Sequence, residues 1–316
     1  MGEISPWLIL QSVLPVYALI LLGGLFRTVG ILQKEADSSM MKLVINCLYP
    51  CLILDKIIAS ESVKNTELVA WTLPVGFFVI ALGILVARYV GGVFRIPKGK
   101  VLNTFSATTG IQNYGFAAVP IVMALFPEDL LGVLFVHSLG VEVALWTIGI
   151  ACIQGQFPKN LKALLSPPIL AVVVGLGLTF TGLSQNPKTS SGPLLTLMAW
   201  LGACSFPIAL LLVGATLSDE IKKCIPTLKV ALTSSFVRLG ALPLIILSLI
   251  YLLPCPKELK LVMVVQAAMP SAVMPIVLSK LYGGDPATAG QVVIVTQTFG
   301  IITIPIWISL GLTYCS

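Results

Sequence analysis

Long apolar stretches separated by short polar segments recur along the whole chain. Each stretch is close to the roughly 20 residues that a transmembrane helix needs to cross a bilayer. No polar stretch between them exceeds a short loop, so the pattern predicts an all-α polytopic membrane protein without a soluble domain. We predict ten transmembrane helices, at residues 7–26, 36–58, 68–94, 101–125, 130–153, 163–181, 193–217, 228–252, 259–282 and 287–313.

The fourth apolar segment is interrupted near its middle. Residues 108–127 read TTGIQNYGFAAVPIVMALFP, with Gln112 and Asn113 between two glycines and Pro120 shortly after them. Glycine is a weak helix former, and Pro120 lacks an N–H and would clash with the carbonyl of Phe116. Backbone groups freed in hydrocarbon cost several kcal/mol each unless they find a partner. The pattern predicts a helix broken at mid-membrane beside a binding site; the alternative is a tolerated kink in which Asn113 joins two helices.

A second interrupted segment resembles the first. Residues 264–285 read VVQAAMPSAVMPIVLSKLYGGD. Aligning Pro275 with Pro120, 155 residues earlier, pairs AVMPIVLSKLYGGD with AAVPIVMALFPED. Two interrupted apolar segments at matching places in two halves are the best sequence indicator of a transporter's binding site.

Two further pairs of segments match in the same order. NCLYPCLIL in the second span, which contains Asn46, matches ACSFPIALL in the seventh, and FVHSLG in the fifth span matches VTQTFG in the tenth. This places His137 opposite Gln297. The matches divide the chain into two five-span repeats, residues 1–155 and 156–316. Because five is odd, the second repeat must enter the membrane upside down, which predicts an inverted repeat.

Lysine and arginine are distributed unevenly between the predicted loops and their flanks. With the N-terminus outside, thirteen of them lie on the inner side and five on the outer side. The positive-inside rule then places both termini outside a plasma (cell inner) membrane. The inner set is Arg27, Lys34, Lys42, Arg88, Arg95, Lys98, Lys100, Lys159, Lys162, Lys222, Lys223, Lys229 and Lys280, and the outer set is Lys56, Lys64, Lys188, Lys257 and Lys260.

The composition excludes several classes of protein. It is 57% hydrophobic and 10% charged, against roughly 25% charged residues in soluble domains. Cys47 and Cys51 share a helix face, but no histidine or second cysteine pair accompanies them as metal ligands. The chain has no GxxxxGK[ST] motif and one histidine, so no nucleotide site or Ser/His/Asp set emerges. We expect no enzyme activity, no metal or other cofactor, no nucleic-acid partner, and energy supplied by gradients.

Few ionisable residues fall well inside the predicted spans, where each is a functional candidate. Glu142 lies near the middle of the fifth span and has the chemistry to couple transport to protons; alternatively it forms an ion pair with Arg238. Arg238 in the eighth span would otherwise extend its head group to the membrane interface. His137 either contacts a substrate or is a satisfied core residue.

QNYGFAAVPIV, MPSAVMPIVLSKLYGGD and NCLYPCLIL resemble the auxin efflux carrier family, and the likeness covers essentially the whole chain. The resemblance implies that helices 4 and 9 are broken and cross each other. It also implies that spans 1, 2, 6 and 7 form a scaffold, and that spans 3–5 and 8–10 form a transport bundle that moves as an elevator. The resemblance is likewise the basis for expecting a homodimer.

The resemblance also assigns individual positions. The family's crossing asparagine corresponds to Asn113, and its ninth-span proline corresponds to Pro275. Its fifth-span amide corresponds to Glu142, and a carboxylate there departs from the plant pattern. Ala268 stands opposite Asn113 in the second half, so Gln266 and Ser271 must supply any polar groups on that side. The departure at Glu142 leaves the substrate and the coupled ion open.

A crossing of two broken helices suits a carboxylate. Half-helix N-termini present unpaired N–H groups and partial positive charge, and Asn113 adds an amide donor. We therefore predict a secondary transporter that exports a small organic anion, auxin-like or another carboxylate. The resemblance implies a ten-helix fold that bile-acid transporters and sodium/proton antiporters share in outline. The rivals are a cation antiporter of that related fold and a non-transporting membrane receptor module. The predicted substrate-binding residues are Asn113, Gln112, Tyr114, Pro120, Gln266, Pro270, Ser271, Pro275, Asn46 and His137, with Glu142 and Arg238 for coupling or charge compensation.

Overall fold

The computed structural model describes residues 5–158, 162–182, 192–222 and 227–315, whose regular structure is helical apart from one isolated backbone bridge. The α-helices in these ranges are α1 (Pro6–Thr28), α2 (Lys34–Leu43), α3 (Tyr49–Ala59), α4 (Thr66–Val93), α5 (Lys100–Gly110), α6 (Ala118–Leu125), α7 (Leu130–Ala144), α8 (Ile150–Gln154), α9 (Pro167–Phe180), α10 (Pro193–Ala203), α11 (Ser205–Ile221), α12 (Leu228–Phe236), α13 (Leu242–Leu252), α14 (Lys257–Ala268), α15 (Met274–Leu281) and α16 (Pro286–Cys315).

Each apolar segment predicted from the sequence is largely helical, with ends within a few residues of the predicted ones, and the fourth and ninth segments are each interrupted. Six helical runs in the described ranges are long and apolar enough to cross a membrane, and α9 is a shorter apolar helix. The chain is therefore a polytopic α-helical membrane protein, as predicted. The count of ten spans, the inverted repeat and the orientation of the termini stay predictions; Lys159, Lys188 and Lys223, which enter the charge comparison, lie outside the described residues. The six runs are Pro6–Thr28, Thr66–Val93, Leu130–Gln154, Pro193–Ile221, Leu228–Leu252 and Pro286–Thr313.

The most extensive helix contacts fall within two sets of helices. In the first set, α1–α3 and α9–α11, α1 packs along α11, and α3 lies against α9 and α10. In the second set, α4–α8 and α12–α16, α4 packs against α5 and α7, and α16 packs against α12 and α14. The sets meet where α1 contacts α6 and α16 and where α3 contacts α7. The ends of α5 and α14 therefore lie within the second set.

Two glycines let α4 and α5 approach to backbone contact where α5 ends. A β-carbon added at Gly110, the last residue of α5, would lie 2.5 Å from the backbone nitrogen of Ile84. One added at Gly83 would lie 2.5 Å from the carbonyl oxygen of Gly110. Either substitution would push the helices apart, because a close-packed core has no room for an extra carbon. This contact holds the carboxyl end of α5 against α4.

A proline follows two of the three π-helical segments in the described ranges, Pro50 after the first and Pro243 after the third. Pro243 has no N–H to donate to the carbonyl of Leu239, four residues earlier. The indole Nε1 of Trp307 donates to that carbonyl at 2.6 Å, so the carbonyl keeps a partner. Arg238 lies in the π turn just before this point, and Asn46 lies in the π turn before α3. The three segments are Val44–Leu48, Leu145–Gly149 and Val237–Ala241.

Candidate functional site

Two non-helical segments separate α5 from α6 and α14 from α15, and they pair antiparallel with each other. The backbone N–H of Asn113 donates to the carbonyl of Pro270 at 2.7 Å, and that of Ala272 donates to the carbonyl of Ile111 at 3.0 Å. Each segment thus satisfies backbone groups that the other break leaves free, which irregular chain inside an apolar core requires. Both breaks lie where the sequence predicts them. We call the two segments, residues 111–117 and 269–273, the crossing.

Buried amide side chains add hydrogen bonds to the backbone of the crossing. Gln266 donates from Nε2 to the carbonyl of Tyr114 at 3.0 Å and accepts at Oε1 from Nε2 of Gln112 at 3.4 Å. Gln297 of α16 donates from Nε2 to the carbonyl of Ser271 at 3.1 Å. Carbonyls that no helix satisfies are thereby held in place. The structure brings the predicted residues Gln112, Asn113, Tyr114, Gln266, Pro270 and Ser271 together at the crossing.

Three residues that support the crossing were missed as site residues. Thr296 accepts at Oγ1 from the backbone N–H of Ser271 at 3.3 Å, and the Tyr17 hydroxyl donates to the carbonyl of Gln297 at 2.9 Å. Gln297 was considered from the sequence only as the residue that matches His137 in the second repeat. Adjacent threonine and glutamine near the middle of α16 were the available signal, whereas nothing local in α1 singles out Tyr17.

Several polar atoms at and before the crossing are buried without a hydrogen-bond partner among the described residues. They are Nδ2 of Asn113, Oε1 of Gln112, and the hydroxyls of Ser271, Thr108 and Thr109. An unsatisfied buried donor or acceptor costs roughly 1–3 kcal/mol, so a bound polar molecule or water here would be stabilised. The first turns of α6 and α15 also have no side-chain cap. This leaves the N–H groups of Ala118 and Met274 as donors, because Pro120 and Pro275 carry no N–H and those of Val119 and Ile276 donate to backbone carbonyls.

Glu142 is tied to the crossing through Tyr114. The Tyr114 hydroxyl contacts Glu142 Oε1 at 2.5 Å, and the indole Nε1 of Trp146, one turn further along, donates to Oε2 at 2.7 Å. Both oxygens therefore have a partner. The predicted ion pair between Glu142 and Arg238 is wrong, because neither residue takes part in such a pair in the described structure.

A small cavity lies between the two sets of helices beside Glu142. It has room for a water molecule but not for an organic anion. The hydroxyl of Tyr49 in α3 is buried without a partner, and its ring packs edge-on against Phe116 with centroids 5.8 Å apart. The cavity is lined by Tyr49, Ile53, Pro168, Ile169 and Val172 from the first set and by Tyr114, Phe135, Ser138, Leu139 and Glu142 from the second.

Arg238 is fully buried beside the crossing. Its Nη1 faces the carbonyl of Gly110 at 3.5 Å, and its Nη2 donates to the carbonyl of Ala267 at 3.2 Å. Gly110 ends α5, and Ala267 is the second-last residue of α14. The alternative in which Arg238 extends to the membrane interface is therefore wrong.

Both predicted prolines begin helices rather than break them. Pro120 is the third residue of α6, and Pro275 is the second residue of α15. A missing N–H costs little in a first turn, since those N–H groups have no helical partner anyway. The breaks that the sequence predicts are therefore present, each lies upstream of its proline, and the alternative of a kink within a continuous helix is wrong.

His137 and Asn46 are not hydrogen-bonded to the crossing. His137 is fully buried in α7, and neither ring nitrogen has a protein partner among the described residues. Asn46 is exposed on the surface of its π turn, away from the buried amides. Their contacts with a substrate stay predictions. Within the described ranges, no group of three or more His, Cys, Asp or Glu side chains lies together as a metal site would require.

The chain is similar in sequence to known membrane proteins over nearly its full length. The profile of a family described as membrane transport proteins matches residues 8–158 and 156–308. An uncharacterized transporter of Methanocaldococcus jannaschii is 26% identical over 311 residues, covering 94% of this chain and 97% of the relative. An uncharacterized transporter of Methanothermobacter thermautotrophicus is 24% identical over 306 residues, covering 94% of this chain and 96% of the relative.

Proposed function

The chain belongs to the membrane transport protein family, the family of the auxin efflux carriers, and on that premise we propose that it is a secondary transporter for a small organic anion. We also propose the finer organisation predicted from the sequence: two inverted five-helix repeats, an elevator movement, efflux, both termini outside a plasma membrane, and a homodimer. These features rest on the sequence matches, the charge asymmetry and the family resemblance.

The observation that best supports an anionic substrate is the amide nitrogen of Asn113 at the crossing, which has no hydrogen-bond partner within the described ranges. It is a buried hydrogen-bond donor within a segment whose backbone is already held by Pro270. The uncapped starts of α6 and α15 follow the crossing, and each helix start carries about half a positive charge. A carboxylate placed there would gain donors and favourable charge together.

The cavity between the two helix sets supports the elevator. Its walls come from α3 and α9 on one side and from α7 and the crossing on the other. Because the cavity is too small for an organic anion, loading requires the second set to move relative to the first. We propose that the first set is the scaffold and that the second set carries the crossing past it.

Glu142 must be uncharged when the anion is bound. Two like charges in a low-dielectric site repel strongly because water does not screen them. The contact with Tyr114 serves both protonation states, since a tyrosine hydroxyl can donate to a carboxylate or accept from a carboxylic acid. A proton on Oε1 leaves Oε2 free to accept from Trp146 as observed. We propose that Glu142 is protonated in the anion-bound state and couples transport to protons.

Flux in proteoliposomes tests the function. Purified protein is reconstituted, and uptake of radiolabelled monocarboxylates and dicarboxylates, aromatic and aliphatic, is compared with empty liposomes. We expect saturable flux of at least one acid, and Asn113→Ala to abolish most of it. Sodium or proton exchange without flux of any acid would instead identify the cation antiporter. Saturable binding with no flux of any solute would identify the receptor module.

A further inference from the structure

Arg238 is a buried cation with no anionic side chain beside it. It is fully enclosed, and no ion pair in the described part of the chain involves it. Its guanidinium instead faces the carbonyls of Gly110 and Ala267, at the carboxyl ends of α5 and α14. These two helices are the first halves of the two broken segments, so one side chain reaches both.

The charge of Arg238 is balanced by the two helix ends. A buried, uncompensated arginine is strongly unfavourable in a membrane interior. The carboxyl end of each helix carries a partial charge of about −0.5, so two ends together offset about one positive charge. The contact with Gly110 is at the outer limit of hydrogen-bond distance, so its contribution is mainly electrostatic.

We propose that Arg238 is a built-in cation that neutralises the carboxyl ends of α5 and α14 and holds them together. The crossing then needs no metal cation at this point. Arg238 is thus a positioning residue, since it acts through the backbone of the two half-helices. Where Arg238 offsets the negative ends, the positive starts of α6 and α15 dominate the local field; this last step rests on the proposed anion function, whereas the role of Arg238 does not.

Removing the guanidinium should turn its position into a cation site. Arg238→Ala leaves a space beside two inward-facing carbonyl ends, and free guanidinium ion is the probe that fits it. Thermal unfolding of the purified protein in detergent is measured with low millimolar guanidinium chloride or choline chloride at equal ionic strength. We expect Arg238→Ala to lower Tm, Arg238→Lys to recover most of the loss, and guanidinium to raise the Tm of Arg238→Ala. Arg88→Ala is the matched control: Arg88 is exposed and contacts Asn103 at 2.9 Å, so its loss should show no rescue.

Two results would overturn the assignment. The first is an Arg238→Lys variant as unstable as Arg238→Ala, with no guanidinium effect on the latter. The second holds even if Arg238→Ala does not fold: an Arg238→Met variant, neutral and of similar length, with the Tm of the wild type would show that the two helix ends need no cation. Failure of acid flux would leave these readouts intact, so the two proposals fail independently.

Discussion

The backbone of Asn113 is bound to Pro270 at 2.7 Å, while the side-chain amide nitrogen of the same residue is buried without a partner. One residue therefore has two separable parts. Its backbone holds two broken helices together, and its side chain offers a donor that nothing in the described protein uses. A substitution that keeps the backbone can remove the donor and leave the crossing intact.

The protonation of Glu142 predicts a pH dependence of substrate affinity. As pH rises and Glu142 loses its proton, its charge should repel the bound anion and weaken apparent affinity, by an amount on the order of tenfold. Glu142→Gln should flatten this dependence, because the amide has no proton to lose. Binding of a transported acid is measured across pH in both proteins.

Glu128→Gln is the matched control for Glu142, because its carboxylate is 69% exposed and lies outside the cavity. It should leave the pH dependence unchanged. Affinity that does not vary with pH in the wild type, together with normal activity of Glu142→Gln, would contradict the role of Glu142.

The elevator predicts that contacts between the two helix sets change with substrate. Ile53 and Ser138 face the same cavity from opposite sets. With native cysteines replaced, the pair Ile53→Cys and Ser138→Cys should crosslink to different extents with and without a transported acid. Gel mobility after oxidation measures the yield.

A pair within the first set provides the control for crosslinking. A β-carbon at Gly24 would lie 3.8 Å from the β-carbon of Ser218, a separation that suits a disulfide. Gly24→Cys with Ser218→Cys should crosslink equally in all conditions. If the crosslinking yield of the Ile53–Ser138 pair is also the same with and without the acid, the second set of helices does not move relative to the first.

The hydrogen bonds of the Asp129 carboxylate lead us to predict that the protein loses stability in acid. Ser60 donates to Oδ1 at 2.9 Å, and the Ser62 hydroxyl donates to Oδ2. Burial raises the pKa of the Asp129 carboxyl, but the hydrogen bonds outweigh burial and hold this pKa below its usual value. The stabilisation is present above the unfolded-state pKa and is lost as pH falls through the folded-state pKa.

Asp129→Asn should therefore lower Tm near neutral pH and reduce the fall of Tm on acidification below about pH 5. Glu67→Gln, which changes an exposed acid in the first turn of α4, serves as the control. Parallel Tm–pH curves for wild type and Asp129→Asn would show that the serine contacts do not stabilise the ionised carboxylate.

The apolar pattern predicted the helices, and the run from Gly110 to Gly115 predicted one break, because both signals are local. Pro120 alone left a break and a kink open, because proline is as compatible with a helix start as with a kink, and the chain uses it as a start. Predicting the position of a break therefore requires the residues before the proline as well as the proline itself.

The partners of buried charges could not be predicted from the sequence. Pairing Glu142 with Arg238 assumed that side-chain charges find each other. In the structure, Glu142 is held by a hydroxyl and an indole, and Arg238 faces backbone carbonyls at two helix ends. Helix ends carry charge that appears only once the breaks are placed in three dimensions. Tyr17 was missed for a related reason, since it contacts α16 from the opposite end of the chain.

Direct binding of a transported acid to Asn113→Ala tests the central claim that the crossing holds the carboxylate. We predict that Asn113→Ala keeps the Tm of the wild type, because the backbone pairing with Pro270 remains. We also predict that it loses roughly 1–3 kcal/mol of binding, about 5- to 150-fold in Kd, because a hydrogen bond to a charged group is gone. Unchanged affinity in a folded Asn113→Ala variant would contradict a carboxylate site at the crossing.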